Sequence, residues 1–445
     1  MFAGVIMLQV NLEEVLGRLQ IAALNEMQEK AIEVVSKGGD VVLLAPTGSG
    51  KTLAFLLPVL MGLDANAKGV QCLIVSPSRE LSLQIDQVWR QMGTGYKIVS
   101  CYGGHDFKTE RNALFQAPAV LIGTPGRLAH HLELQTFDES HIRMLVLDEF
   151  DKSLELGFQD DMAYIIGMLK SLRQRILTSA TAMEVLPSFT GIRTPLTIDF
   201  LKDASSTPHF AFYELRSSLT GKAETLLKLL CKVGSERSLV FCNQRETTEQ
   251  LSLVLDSHRV VHDIYHGGMD QDDRERALMK FRNGSVTVLL TTDLAARGLD
   301  IAEVHNIIHY QMPTTREAFV HRNGRTARMN AAGSVFLLLA DGESISYELS
   351  AELTNVTLPD EFCLPAEPMW KTLYFSAGKK DKINKIDIAG LLLKKGGLKK
   401  EDLGLIVVKE HQAFAAVKGT CAEGLLKSLA GQRIKNKKIK IALAL

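Results

Sequence analysis

Ala45-Pro-Thr-Gly-Ser-Gly-Lys-Thr52 follows the apolar run Val41–Leu44 and precedes another, Leu53–Leu60. The small residues Ala45, Pro46, Thr47, Gly48, Ser49 and Gly50 let backbone N–H groups curl around phosphate oxygens. The helix expected to begin next adds its positive dipole end. In such a loop Lys51 reaches the β- and γ-phosphates, and the Thr52 hydroxyl ligates Mg2+. Ala45 stands where the usual pattern has its first glycine. An ordinary glycine-rich turn is the bland alternative, and the strand–loop–helix context argues against it.

A second cluster, Asp148-Glu-Phe-Asp151, follows the apolar run Met144–Leu147. Carboxylates at the C-terminal end of a buried parallel strand lie where open α/β sheets take ligands. There Asp148 would hold Mg2+, directly or through water, and Glu149 would orient and deprotonate an attacking water. An Asp-Glu pair by itself is surface charge, and the upstream phosphate loop reverses that reading. A third segment, His321-Arg-Asn-Gly-Arg-Thr-Ala-Arg328, sets Arg325 and Arg328 three apart, a spacing that shares one face of a helix. From an opposite lobe these guanidiniums would stabilise charge on a γ-phosphate. An exposed basic helix is the competing interpretation.

The elements that must position these residues alternate. Val41–Ala45, Cys72–Val75, Val120–Ile122, Met144–Leu147 and Ile176–Leu177 are strand-like, with amphipathic stretches such as Glu80–Arg90 and Asp160–Leu172 between them. This alternation predicts a parallel α/β sheet covered on both faces. Asp199–Pro208 is polar and ends in proline, as a linker does. The alternation then restarts, with strands expected at Ser238–Phe241, Val260–Tyr265, Val286–Leu290, Asn306–Tyr310 and Gly333–Leu339. The expected organisation is α/β: parallel-sheet domains over 1–200 and 209–345, then a βαββαβ module over 369–445 with the layout of an RRM.

The 445-residue length suits about three domains. No apolar run reaches the roughly 18 residues needed to span a bilayer. Met1–Val10 is apolar, but no Lys or Arg precedes Arg18, which argues against a secretory signal; Met7 is an alternative start. The six cysteines form no Cys-x-x-Cys pair, which fits reduced thiols and a cytoplasmic location. The net charge is zero, yet residues 366–445 carry 17 Lys and Arg against 7 Asp and Glu. A tail at +10 behind a body at −10 points to a polyanionic partner.

Together with Pro77-Ser-Arg-Glu-Leu81, Gly103-Gly104, Thr124-Pro-Gly-Arg127, Ser179-Ala-Thr181 and Thr291-Thr-Asp-Leu-Ala-Ala-Arg-Gly-Leu-Asp300, these segments resemble the DEAD-box branch of superfamily-2 helicases across residues 20–345. The resemblance implies two RecA-like domains, ATP and Mg2+ as cofactors, and RNA as partner. It makes Gln28 the adenine-recognising glutamine and Asp300 the ribose contact, with Gly298 beside it. Arg79, Gly104, Thr124, Arg127 and Thr292 become contacts to the RNA backbone, which position a strand without reading its sequence. Ser179, Thr181, Asp151 and His321 become the coupling residues. Three departures stand out: Phe150 replaces the alanine of the name-giving box, Glu26 stands where proline is usual, and Ser78 replaces a threonine.

Leu373-Tyr-Phe-Ser-Ala-Gly378, Ile386-Asp-Ile-Ala-Gly390, Gly396-Gly-Leu398 and Ala413-Phe-Ala-Ala-Val417 resemble the RNA-binding domain of DbpA-type helicases, which bind a hairpin of the large-subunit rRNA. The resemblance implies a 23S rRNA hairpin and the pre-ribosomal large subunit as partners. Tyr374 and Phe414 are candidates for base stacking, with Phe375 on the other face. Lys379, Lys380, Lys435, Lys437 and Lys438 are candidates for phosphate attraction. The expected protein is a monomeric RNA helicase with no membrane partner. The alternatives are a general RNA chaperone or clamp without rRNA specificity, and a DNA-directed translocase.

Overall fold

The computed structural model describes residues 12–183, 185–201, 210–293, 304–326, 333–347, 349, 352–359, 365–435 and 437–444. It divides into two compact units, one built chiefly on the chain to Thr207 and the other on the chain from Pro208 onward.

The first unit holds seven strands: β1 (Val41–Leu44), β2 (Cys72–Val75), β3 (Ile98–Cys101), β4 (Val120–Gly123), β5 (Met144–Leu147), β6 (Gln174–Ser179) and β7 (Leu196–Asp199). Their order is β3-β4-β2-β5-β6-β1-β7, and every neighbouring pair is parallel. Val41 and Leu43 enter one hydrophobic core, while Val42 and Leu44 enter the other, so the sheet is buried on both faces. This explains strands written as unbroken Val, Ile and Leu. Two strands escape that pattern. Ser100 interrupts β3, and β7 is an edge strand with only Ile198 buried, so the stretch expected as linker begins inside it.

Because all strands run the same way, the loops that carry the motifs emerge along one edge. The phosphate loop, the acidic box and Ser179-Ala-Thr181 leave β1, β5 and β6, three adjacent strands. The segments at Pro77, Gly103 and Thr124 leave β2, β3 and β4, also adjacent. The sheet therefore has two chemically distinct halves.

The second unit repeats the plan with β8 (Phe210–Ser217), β9 (Ser238–Cys242), β10 (His262–Tyr265), β11 (Val288–Thr292), β12 (Asn306–His309), β13 (Gly333–Ala340) and β14 (Leu353–Asn355). The order is β10-β11-β9-β12-β13-β8-β14, again parallel throughout. β8 pairs with β13 over its whole length, although its mix of Phe, Tyr, Glu and Arg hides it in the sequence.

The C-terminal module is an antiparallel sheet ordered 403–408, 413–418, 370–375, 441–443, backed by the helices Lys385–Gly390 and Gly419–Ser428. Leu373, Phe375, Ala413, Ala415 and Val417 face its core. Thr372, Phe414 and Ala416 alternate with these, yet they too are buried. Within this unit Thr372 Oγ1 lies 3.2 Å from Asn283 Nδ2 and 2.6 Å from Ser285 Oγ, at the end of the helix Gln271–Arg282. Lys409 approaches Glu275 of the same helix at 3.9 Å. The outer face of the small sheet is thus a joint with the second RecA-like sheet domain.

Candidate functional site

The nucleotide half begins with β1 handing the chain to the loop, where Gly48 and Gly50 take positive φ of 84° and 92°. A side chain at Gly50 would strike Gln28, its Cβ landing 2.5 Å from Nε2. Lys51 is buried, and its Nζ donates to the carbonyls of Ala45 (2.5 Å) and Pro46 (3.0 Å). This carbonyl cradle holds the ammonium inside the ring of the loop. Gln28 and Asn25 form a reciprocal capping box at the start of the helix Glu26–Ser36. Gln28 Nε2 also donates to Gly50 O at 3.3 Å, and Asn25 Nδ2 to Ser49 O at 3.0 Å. The glutamine and the phosphate loop are therefore mechanically joined. Asn25 was not singled out in the sequence, although its Asn-x-x-Gln spacing is a capping signature.

At the end of β5, Asp148 is 3% exposed. Burial and the adjacent charge of Glu149 push its pKa up to about 7. Glu149 sits in the left-handed region at φ 45°, an unusual conformation for a residue with a side chain. Asp151 is tied to the end of β6: its Oδ2 accepts from Thr181 Oγ1 at 3.0 Å and from the Ala180 amide at 3.3 Å. Ser179 Oγ in turn donates to Thr181 O at 2.7 Å. The acidic box and Ser179-Ala-Thr181 form one hydrogen-bonded unit. Phe150 is wholly buried in the core on that side of the sheet, its ring 6.1 Å from that of Phe189. The large side chain at this position thus points away from the acids and into packing.

The other half of the sheet is organised by a residue that the sequence reading missed. Glu110, on the helix Phe107–Leu114, is 1% exposed. It accepts from Arg127 Nε (2.6 Å) and the Tyr102 amide (3.0 Å), and pairs with His131 Nε2 (2.9 Å) and His105 Nδ1 (3.2 Å). Burial alone would raise its pKa, but the bonds from His131, Tyr102 and Arg127 outweigh it and the pKa falls. Arg127 is thereby fixed, its Nη2 also donating to the His105 carbonyl, and Arg79 lies over the Tyr102 ring at 4.8 Å. Thr124 begins the helix Pro125–Glu133 without using its hydroxyl as a cap. Cys101, Glu110 and His131 lie within 4.8 Å of one another, a spacing a metal ion could use. However, burial raises the Cys101 thiol pKa, and Glu110 already neutralises a guanidinium. Glu110 and His131 belong to a hydrogen-bond hub, with the Cys101 thiol packed beside it.

In the second unit Arg322 takes the structural part. Its guanidinium makes paired bonds to Asp293 (2.6 and 2.7 Å) and reaches Asn243 Oδ1 (2.8 Å) and Gln311 O (2.7 Å). It therefore stitches together the ends of β11, β9 and β12, beside the buried Thr292. Arg325 does not lie on the helix of this motif. The helix ends at Asn323 with Gly324 as its cap, Arg325 follows in a turn, and Thr326 bridges to Val304. Arg325 and His321 are buried; Arg328, Asp300 and Gly298 lie outside the described residues.

In the C-terminal module Phe414 is completely buried and Tyr374 half-buried, their rings 5.8 Å apart. Phe414 thus offers no open face for stacking. Lys437 pairs with Asp381 at 2.9 Å, Lys435 with Asp387 at 2.7 Å, and Lys379 approaches Glu410 at 3.8 Å; Lys380 is exposed.

A phosphate loop and acidic box at adjacent strand ends, followed by a second parallel sheet with an arginine motif, define a nucleotide-driven enzyme of the two-sheet type. Comparison with known proteins narrows this class. Residues 25–188 match the DEAD/DEAH box helicase family, 221–330 the helicase conserved C-terminal domain, and 372–443 the DbpA RNA binding domain. The ATP-dependent RNA helicase DbpA of Escherichia coli is 34% identical over 440 residues, covering 96% of each chain. The ATP-dependent rRNA helicase RRP3 of Encephalitozoon cuniculi is 35% identical over 318 residues, or 71% of this chain and 80% of that protein. DEAD-box helicase Mss116 bound to ssRNA and UDP-BeF superposes with a TM-score of 0.70 at 26% identity, over 81% of this chain and 80% of that one. The protein belongs to the DEAD-box family: it is an ATP-dependent RNA helicase with a DbpA RNA-binding domain. No helix among the described residues is long and apolar enough to cross a membrane.

Proposed function

We propose that this helicase remodels 23S rRNA during assembly of the large ribosomal subunit, acting as a cytoplasmic monomer. The observation that carries the reading is the C-terminal module: a DbpA RNA-binding domain with net charge +10 behind an acidic ATPase body. Such a tail raises the effective concentration of one structured RNA near the engine.

Lys51 and the loop 45–50 bind the phosphates of ATP, and Gln28 recognises the adenine. Thr52 and Asp148 suit Mg2+, because a hydroxyl and a buried carboxylate are the hard oxygen donors this ion prefers. When bound, the ion neutralises charge on the transferring phosphoryl group. Glu149 takes the proton of the attacking water. Arg325 and Arg328 stabilise the developing charge when ATP and RNA draw the lobes together, and Asp300 contacts the ribose. Arg79, Gly104, Thr124, Arg127 and Thr292 hold the RNA backbone, while Asp151, Ser179, Thr181 and His321 transmit hydrolysis to it. Tyr374, Lys379, Lys380 and Lys437 contribute to rRNA attraction.

Titrating ATP turnover with intact 23S rRNA and with an unstructured RNA of equal length tests this reading. Half-saturation at far lower concentrations of rRNA supports it; equal stimulation by both makes the protein a general RNA chaperone.

A further inference from the structure

We propose that Thr178 is a positioning residue for ATP hydrolysis, fixing Asp148 and Glu149 together. The proposal rests on the metal-binding and base roles given above to those two acids.

Thr178 lies in β6 one residue before Ser179, and its side chain is wholly buried. Burying a hydroxyl in a sheet core is unfavourable unless both its donor and its acceptor capacity are used. Here both go to the acidic box. The Glu149 amide is 3.1 Å from Thr178 Oγ1, and an N–H can only donate, so the oxygen is the acceptor there. The hydroxyl proton is then directed at Asp148 Oδ1, 2.6 Å away. At that length the bond is a strong one. It sets the rotation of Asp148 and engages one of its two oxygens. The bond from the Glu149 amide anchors a backbone held at φ 45°, a conformation that is costly where nothing sustains it.

The strands flanking Thr178 are β5 and β1, which carry the acidic box and the phosphate loop. The next residues of its own chain, Ser179 to Thr181, are bonded to Asp151. One short strand end therefore touches three residues of the box, and displacement of Thr181 reaches Asp148 through a few backbone bonds. Plain packing would be served as well by valine, which has the same shape without the hydroxyl. That difference is the test.

In the full-length protein, Thr178→Val removes the hydroxyl and Thr178→Ser keeps it. Mg2+ dependence is read as binding of a fluorescent ATP analogue without RNA, and as Mn2+ binding by electron paramagnetic resonance; kcat and the RNA half-saturation are measured separately. The expected result for Thr178→Val is metal half-saturation raised about 10–100-fold, as for other residues that orient a metal ligand, with kcat reduced and RNA half-saturation unchanged. Thr178→Ser should return both affected parameters to near wild type. Asp148→Asn is the control: if it leaves metal dependence intact, the role of Asp148 is wrong rather than that of Thr178. Metal dependence and kcat within twofold of wild type in Thr178→Val would overturn the proposal, as would a serine variant as impaired as the valine one. Should Thr178→Val fail to fold, Thr178→Cys, of similar size and a weak donor, is judged by the same criteria.

Discussion

Two buried acids of the first RecA-like domain are driven in opposite directions. Asp148, in the nucleotide half, meets a hydroxyl and the negative charge of Glu149, and its pKa rises to about 7. Glu110, in the half that carries the proposed RNA contacts, collects a guanidinium, a backbone amide and two imidazoles, and its pKa falls. Both are almost wholly shielded from water, so burial does not separate them. What separates them is how far the protein offsets burial: Lys51 lowers the Asp148 pKa only in part, whereas the partners of Glu110 outweigh its burial. Glu110 is electrostatically complete and serves as scaffold. Asp148 gains from a cation, which is what a site for a metal-bound triphosphate requires.

Breaking the nucleotide half should have the largest effect. Glu149→Gln is expected to lower RNA-stimulated turnover by about 10²–10⁴-fold while ATP and RNA still bind, because a base lost at the reacting water affects the chemical step. Turnover within a few-fold of wild type would remove Glu149 from that role. Next comes Glu110→Ala. Removing one partner of a buried ion pair strands the rest, so a loss of about 3–5 kcal/mol in urea unfolding is expected, with a raised RNA half-saturation. An unchanged RNA half-saturation would mean that Arg127 needs no such anchor.

A third buried group sharpens the comparison by its response to pH. His309 in β12 is bonded to Asn323, and burial together with the charge of Arg322 lowers its pKa from 6.5 to about 3. The folded state keeps the ring neutral, so its contribution is fully present above pH 6.5 and drains away as pH falls toward 3. This group should cost about 1.5 kcal/mol between pH 6.5 and 5, seen as a steeper loss in wild type than in His309→Gln. Identical slopes would contradict it. The smallest effect belongs to Lys437→Ala: an exposed, salt-bridged lysine should lower the salt dependence of rRNA binding by about one unit of slope and leave turnover unchanged. An undiminished slope would take Lys437 out of the rRNA contact.

The two halves also differ in how much of them is legible as sequence. Residues proposed to touch ligand, such as Lys51, Asp148 and Arg127, sit in short segments whose composition is constrained on every side. The residues that hold them do not. Glu110 resembles any acid on an amphipathic helix, Thr178 any β-branched strand residue, and Arg322 any base in a basic run; each has a decisive partner between 17 and 79 positions away. The fold shows the same divide. Fully buried strands announce themselves as apolar runs, whereas β3, β7 and β8 carry Ser100, an exposed edge and mixed aromatics. The joint on the small sheet was invisible for another reason: Phe414 and Thr372 alternate as an RRM face should, and only a neighbouring domain reveals that the face is covered.

The claim that the first sheet has two separable halves is tested most directly by measuring Thr178→Val and Glu110→Gln side by side. Affinity for the Mg2+ complex of a fluorescent ATP analogue is measured without RNA, and affinity for single-stranded RNA without nucleotide. The first variant should weaken only nucleotide binding and the second only RNA binding. Both affinities falling together in either variant would contradict it.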